Sequence, residues 1–297
     1  MTPATIGIVG LGLVGQALGL RLRAAGWRTL GHDLRPEAVQ AFEAAGGEGA
    51  GSLQALGRAV DTVVLAVFDT HGALQVLEGE DGLLGPGSRV GLVIDCSTGS
   101  PDLLVALGRR LQARGIDLVE APLSGSSQQI GEGEATALVG ADDAGVARAA
   151  PVLSALASRW IHVGPPGMGA KAKLATNLVL GLNRAVFAEG LAFAQSLGLD
   201  PRQFLELVLA SPASSEAARI KGPLMVEGDF APRSRIRQHL KDVDLMLAAA
   251  ATHGQGLPLS QTHAALMRAA VAAGDGELDN AAIVRQLRRE RTPPTSS

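Results

Sequence analysis

The 297 residues are 46% hydrophobic and 19% charged, with a formal net charge of −3; one large or two medium cores fit, and no global pull toward nucleic acid or an anionic membrane exists. A single cysteine, Cys96, excludes an intrachain disulfide framework and a multi-cysteine zinc site, and points to a reducing compartment, the cytoplasm. The chain contains no tyrosine, which excludes a Ser/Tyr/Lys proton relay.

From Thr5 to Val163, short β-like runs (5–10, 29–32, 61–68, 89–95, 117–121, 135–140 and 160–163) alternate with helical patterns. Residues 100–115 are typical, opening on Ser-Pro and stopping at Gly115. Such alternation predicts parallel βαβ units and a doubly wound, mostly parallel sheet covered on both faces, over residues 1–165. The first run ends in GLGLVG (Gly10, Leu11, Gly12, Leu13, Val14, Gly15), a helical pattern covers 13–25, and Asp33 closes the next run. Strand, glycine loop, helix and acid in that register predict a dinucleotide site with the pyrophosphate at the helix N-terminus. Asp33 would accept the ribose hydroxyls and repel a 2′-phosphate, favouring NAD; Arg35, two residues on, could meet that phosphate and admit NADP, or stand solvated beside Pro36.

Beyond Gly169 the strand signals stop. Helical periodicity covers 170–196, 201–210, 213–227, 235–253, 258–273 and 279–290, so residues 166–297 form an all-α domain; TPPTSS at the end reads as a disordered tail. The apolar stretch at 174–194 is broken by Asn177, Asn183, Arg184 and Glu189, so it does not read as a membrane span. Lys173 and Asn177, one turn apart, share a helix face otherwise built from Leu, Ala, Val and Gly. Hydride transfer from an alcohol needs an acceptor for the hydroxyl proton, and a lysine whose pKa is brought down from about 10.4 serves both directions without a metal.

Five motifs in order, GLGLVG (10–15), DCST (95–98), APLSGSSQQIGEGEATALVG (121–140), GMGAKAKLATN (167–177) and LKDVDLMLAAA (240–250), make nearly the whole chain resemble the β-hydroxyacid dehydrogenases. That family includes 3-hydroxyisobutyrate dehydrogenase and tartronate semialdehyde reductase and is related to 6-phosphogluconate dehydrogenase. The resemblance implies an N-terminal Rossmann domain, a long interdomain helix and a helical C-terminal domain, assembled as homodimers or homotetramers. By the same resemblance Lys173 is the acid/base, Asn177 holds substrate, and Ser124 and Gly125, with Ser126 after them, meet its carboxylate. Val67, Phe68 and Thr98 would line the nicotinamide, while Lys241, oriented by Asp242, would approach from the helical domain to close the cleft. The implied reaction is hydride exchange between NAD(P) and a small 3-hydroxy acid or its semialdehyde.

Departures from the family pattern concern the substrate. Ser126 stands where relatives commonly carry a second glycine, followed by Ser127, Gln128 and Gln129; Thr176 precedes the helix asparagine; Cys96 replaces a small or apolar residue. The extra hydroxyls and amides predict recognition of a polyhydroxylated acid. Histidines 32, 71, 162, 239, 253 and 263 show no metal-ligand spacing, and His71 reads as a solvent-facing loop residue. Arg233, Arg235 and Arg237 read as a solvated helix start rather than an anion face, and RQLRRERT as a solvated last helix. Two alternatives remain: an imine reductase, which Lys173 opposes, and a cofactor-binding scaffold or sensor without turnover.

Overall fold

The computed structural model describes residues 4–290; the TPPTSS tail lies outside them. The chain divides into two compact units, Met1–Lys173 and Leu174–Ser297.

In the first unit, β1 (Thr5–Val9), α1 (Leu13–Ala24), β2 (Arg28–His32), α2 (Pro36–Ala44), β3 (Glu48–Gly49), α3 (Leu53–Ala59), β4 (Thr62–Leu65) and α4 (Thr70–Glu78) alternate. They are followed by β5 (Leu92–Asp95), α5 (Pro101–Gln112), β6 (Asp117–Glu120), β7 (Leu123–Ser124), α6 (Ser127–Glu132), β8 (Thr136–Gly140), α7 (Asp143–Leu156) and β9 (Arg159–Gly164). Among the described residues the strands form one sheet in the order β3-β2-β1-β4-β5-β6-β8-β7, with β9 paired to β8. The first six positions are all parallel, the strand order of a dinucleotide-binding Rossmann sheet. β6 and β7 both pair antiparallel with β8. Pro122, which has no N–H to give a ladder, stands between them, so the chain leaves the parallel sheet at Glu120 and re-pairs at Leu123.

The parallel strands are buried on both faces, which is why they read as continuous apolar runs. Ile6, Ile8, Val64, Ile94 and Val119 pack with Leu18 and Leu22 of α1 and Leu153 of α7. Val9, Val63, Leu65, Val93 and Leu118 pack on the other face with Leu77 of α4 and Leu104, Leu107 and Leu111 of α5. Each such side chain contributes roughly 1.5–3 kcal/mol by leaving water.

A 29-residue helix, α8 (Met168–Ser196), begins in the first unit and continues into the second. There follow α9 (Pro201–Leu209), α10 (Glu216–Glu227), α11 (Ile236–Thr252), α12 (Pro258–Ala270) with a π-helical turn at Val271–Asp275, a 3₁₀ turn at Asn280–Ala282, and α13 (Ile283–Arg289). Asp200 caps α9 ahead of Pro201, and Ser215 caps α10, each side-chain oxygen taking an N–H that the helix itself cannot satisfy. Leu174, Phe187, Leu191, Met225, Ile236, Val243, Met246, Met267 and Ile283 form the core of this unit. No helix among the described residues is long and apolar enough to cross a membrane.

Candidate active site

The glycine loop is built from close approaches. Gly10 has φ +89°, and a Cβ there would lie 2.4 Å from the Ala66 carbonyl oxygen; a Cβ on Gly15 would lie 1.8 Å from the Gly10 carbonyl oxygen. Both positions therefore exclude any side chain. Gly12 differs: it is the N-cap of α1, and a Cβ on it would meet only Arg35 Nη2, at 3.9 Å. The first turn of α1, with Leu13, Val14 and Gly15, carries no acidic side chain and no side-chain cap. Its N–H groups and positive dipole end fit a pyrophosphate.

Asp33, just past β2, ties that loop to the next strand. Its Oδ2 accepts from the Leu11 N–H at 2.7 Å, and its Oδ1 accepts from the Arg35 N–H at 2.9 Å. Arg35 Nε and Nη2 donate to the same carboxylate at 3.1 and 3.3 Å. Burial opposes the charge, but the hydrogen bonds from Arg35 and Leu11 outweigh it and hold the carboxyl below its ordinary range. Arg35 is exposed, and its guanidinium rests on Asp33.

β4 and β5 are neighbours, so their C-terminal ends bring Val67 and Phe68 beside Thr98. The Val67 N–H donates to Ser97 Oγ at 3.1 Å, and the Ser97 N–H donates to Asp95 Oδ1 at 2.9 Å. Ser97, the third residue of DCST, is the link between the two strand ends. Val67 and Thr98 are partly buried, and Phe68 is half exposed. Cys96 beside them is buried, which pushes its thiol well above the usual range.

Lys173 is buried, and its Nζ donates to the Leu123 carbonyl oxygen at 2.7 Å. β7 thereby sets the ammonium beside Ser124 and Gly125. Ser126, next in that loop, also caps a helix. Its Oγ accepts from the Gln129 N–H at 3.3 Å while Gln129 Oε1 accepts from the Ser126 N–H at 2.9 Å, a capping box on α6. Gln128 Nε2 donates to Glu132 Oε1 at 3.0 Å. The polar loop thus closes and braces a short helix, and Ser126 keeps its hydroxyl proton as a donor.

Glu120 is the main residue that sequence reading missed here. Almost fully buried at the end of β6, it accepts from the N–H groups of Gly167 and Ala170 at the start of α8. Burial raises its carboxyl to about 7 despite these two bonds; Asp95 adds to the rise and Lys171 opposes it. The signal was a lone acid before Ala-Pro in an apolar run.

In the second unit, Asn177 Nδ2 donates to Asp242 Oδ2 at 3.1 Å, and Lys241 Nζ lies 2.9 Å from Asp242 Oδ1. Asp242 therefore joins the two residues that the motifs placed 64 positions apart. The three arginines are paired: Arg233 with Asp229, and Arg235 and Arg237 with Glu277. His71 is exposed, in the first turn of α4 rather than in a loop. Among the described residues no cluster of His, Cys, Asp or Glu is arranged to hold a metal ion.

A Rossmann sheet, a side-chain-free phosphate cradle and a buried lysine beside a strand-end loop define the class of nicotinamide-dinucleotide-dependent oxidoreductases. Residues 5–164 match the family described as the NAD binding domain of 6-phosphogluconate dehydrogenase, and residues 167–287 match that described as the NAD-binding of NADP-dependent 3-hydroxyisobutyrate dehydrogenase. The L-threonate dehydrogenase of Cupriavidus necator is 32% identical over 94% of both chains, and the 2-(hydroxymethyl)glutarate dehydrogenase of Eubacterium barkeri is 29% identical over 94% of this chain and 93% of that one. The crystal structure of 3-hydroxyisobutyrate dehydrogenase from Salmonella typhimurium superposes with a TM-score of 0.84 at 30% identity, covering 95% of this chain and 99% of that one. The chain belongs to the β-hydroxyacid dehydrogenase family, and its cofactor is NAD or NADP.

Proposed function

We propose that the protein exchanges a hydride between a nicotinamide, with NAD preferred, and the hydroxyl-bearing carbon of a small 3-hydroxy acid or its semialdehyde, with Lys173 as acid/base. The observation that carries this is the buried Lys173 held at 2.7 Å from the Leu123 carbonyl oxygen, directly before Ser124 and Gly125. The bound nicotinamide supplies or accepts the hydride; everything else falls to side chains. Lys173 Nζ gives a proton to the carbonyl oxygen in reduction and takes the hydroxyl proton in oxidation. The bond to Leu123 fixes where that proton stands. The Ser124 hydroxyl and the N–H groups of Ser124 and Gly125 are donors for the substrate carboxylate, with the Ser126 hydroxyl as a further one. Asn177, anchored by Asp242, holds the reacting oxygen in line, and Lys241 shares that anchor. Val67, Phe68 and Thr98 exclude water from the nicotinamide.

In this reading residues 1–165 hold the cofactor and 166–297 hold substrate and a second copy. α8 exposes Val179, Val186 and Phe193 two turns apart along one stripe, a face for a homodimer or homotetramer that light scattering of the purified protein checks. The buried Cys96 suits a cytoplasmic enzyme. Absorbance of the reduced nicotinamide, followed with NAD and NADP against 3-hydroxyisobutyrate, glycerate, threonate and 3-hydroxypropionate, tests the reaction. Lys173→Ala is expected to lower kcat by about 10²–10⁴ with cofactor affinity retained. Cofactor binding without turnover of any acid by the wild type would instead favour a scaffold.

A further inference from the structure

Residues 120–123 of the first unit hold the start of α8 at two points. Glu120, at the end of β6, accepts from the Gly167 N–H through Oε1 and from the Ala170 N–H through Oε2. Three residues on, the Leu123 carbonyl oxygen accepts from Lys173 Nζ. Ala170 and Lys173 are three apart and so lie on the same side of the helix. One short segment thus holds both the backbone of the first turn and the tip of the side chain that follows it.

Helix α8 has no means of its own to fix this end. A helical N-terminus leaves its first N–H groups without intrahelical acceptors; Gly167, just ahead of Met168, has no side chain to cap them, and the first turn carries no acid. The acid comes from the sheet instead, and glycines let it in. A Cβ on Gly169 would lie 2.8 Å from the Leu138 carbonyl oxygen and 3.0 Å from Glu120 Cβ, and one on Gly140 would lie 2.4 Å from the Gly169 nitrogen. In the second unit buried carboxylates are met by cations: Lys221 Nζ donates to both oxygens of Asp279, at 2.7 and 2.9 Å, and Arg285 and Arg289 pair with Asp275. Glu120, 1% exposed, gives its two oxygens to backbone N–H groups. Burying an acid is a costly way to tie two amides. What it adds is geometry, since one planar group bonded to two residues three apart fixes both the axial position and the rotation of the turn.

We propose that Glu120 is a positioning residue: by holding the Gly167 and Ala170 N–H groups it sets the first turn of α8 so that Lys173 Nζ meets the Leu123 carbonyl oxygen. The consequence for turnover rests on Lys173 being the acid/base, as read above; the placement of its side chain does not. Misplacing a proton-transfer group by about 1 Å costs about a hundredfold in rate, so the effect of Glu120 on the reaction passes through Lys173.

The test compares the wild type with Glu120→Gln and Glu120→Asp at pH 8, above the value of about 7 at which Glu120 ionises. Glutamine accepts from only one of the two N–H groups; aspartate keeps both acceptors on a stem one methylene shorter. Lysine isotopically labelled at Cε gives four NMR signals, from Lys171, Lys173, Lys221 and Lys241, and Lys173→Arg assigns the one in question. In both variants the Lys173 signal is expected to move while those of Lys221 and Lys241 stay. In steady-state kinetics Glu120→Gln should lower kcat at least about tenfold with KM unchanged, Glu120→Asp should lower it less, and Glu120→Gln should cost nothing further in a Lys173→Ala background. An unmoved Lys173 signal in a folded Gln variant overturns the assignment, as does an unchanged kcat or a loss by the same factor in the Lys173→Ala background. If the Gln variant does not fold, an unmoved Lys173 signal in the Asp variant makes Glu120 a folding residue. A Lys173 signal that depends on Glu120 in an enzyme that turns over none of the acids would count against the proposed reaction alone.

Discussion

Glu120→Gln changes the pH dependence of stability in a direction the structure fixes. Glu120 titrates near 4.5 in the unfolded chain and at about 7 when folded. Between those values the folded state holds more protons than the unfolded one, so this residue makes stability fall as pH rises from 4.5 through 7. The shift corresponds to about 3 kcal/mol as a ceiling. Glutamine does not titrate, and it can accept from only one of the Gly167 and Ala170 N–H groups, so at pH 5 the variant should be weaker by about 1–3 kcal/mol. By pH 8 the gap should close or reverse. Urea unfolding read by tryptophan fluorescence isolates the effect, because Trp27 and Trp160, the only two tryptophans, both lie in the first unit. With an m-value of about 1–3 kcal/mol/M, the relative midpoint should move by about 1–3 M between the two pH values. Parallel pH profiles for wild type and variant would refute the reasoning.

Asp33→Ser removes the carboxylate that repels a 2′-phosphate and releases Arg35; the NAD-over-NADP ratio of kcat/KM should fall at least about tenfold, and an unchanged ratio would leave Asp33 a purely structural tie to Leu11. Lys221→Met strands the fully buried Asp279 with only the N–H groups of Arg233, Ser234 and Ala281, which should cost about 3–5 kcal/mol. Adding Asp279→Asn should recover part of that loss, a non-additivity that circular dichroism during urea unfolding would detect.

Regular elements and the glycine loop were legible because their signals are local. Gly10, Gly12, Gly15 and Asp33 stand in fixed register with β1, α1 and β2, and in the second unit Gly198 and Gly228 end helices while Pro201 and Pro258 begin them. The strands β3 and β7 were not read, since two residues carry no periodicity. Ser126 and Gln129 teach a different point. Their S-x-x-Q spacing is a capping-box signature, which the structure forms at the start of α6. Arg184, His239 and His263 were illegible for a third reason: they come from three helices, and only packing makes them neighbours.

Cys96 opens an experimental route. As the only thiol of the chain, buried at 6% exposure and with its deprotonation suppressed by burial, it is a poor nucleophile toward maleimide or iodoacetamide reagents. A cysteine introduced at an exposed position, such as Leu34 or Leu259, becomes the one site that takes a dye or spin label. Pairs of such labels, one in each unit, would let fluorescence transfer follow the two halves through cofactor and substrate binding on an otherwise native chain.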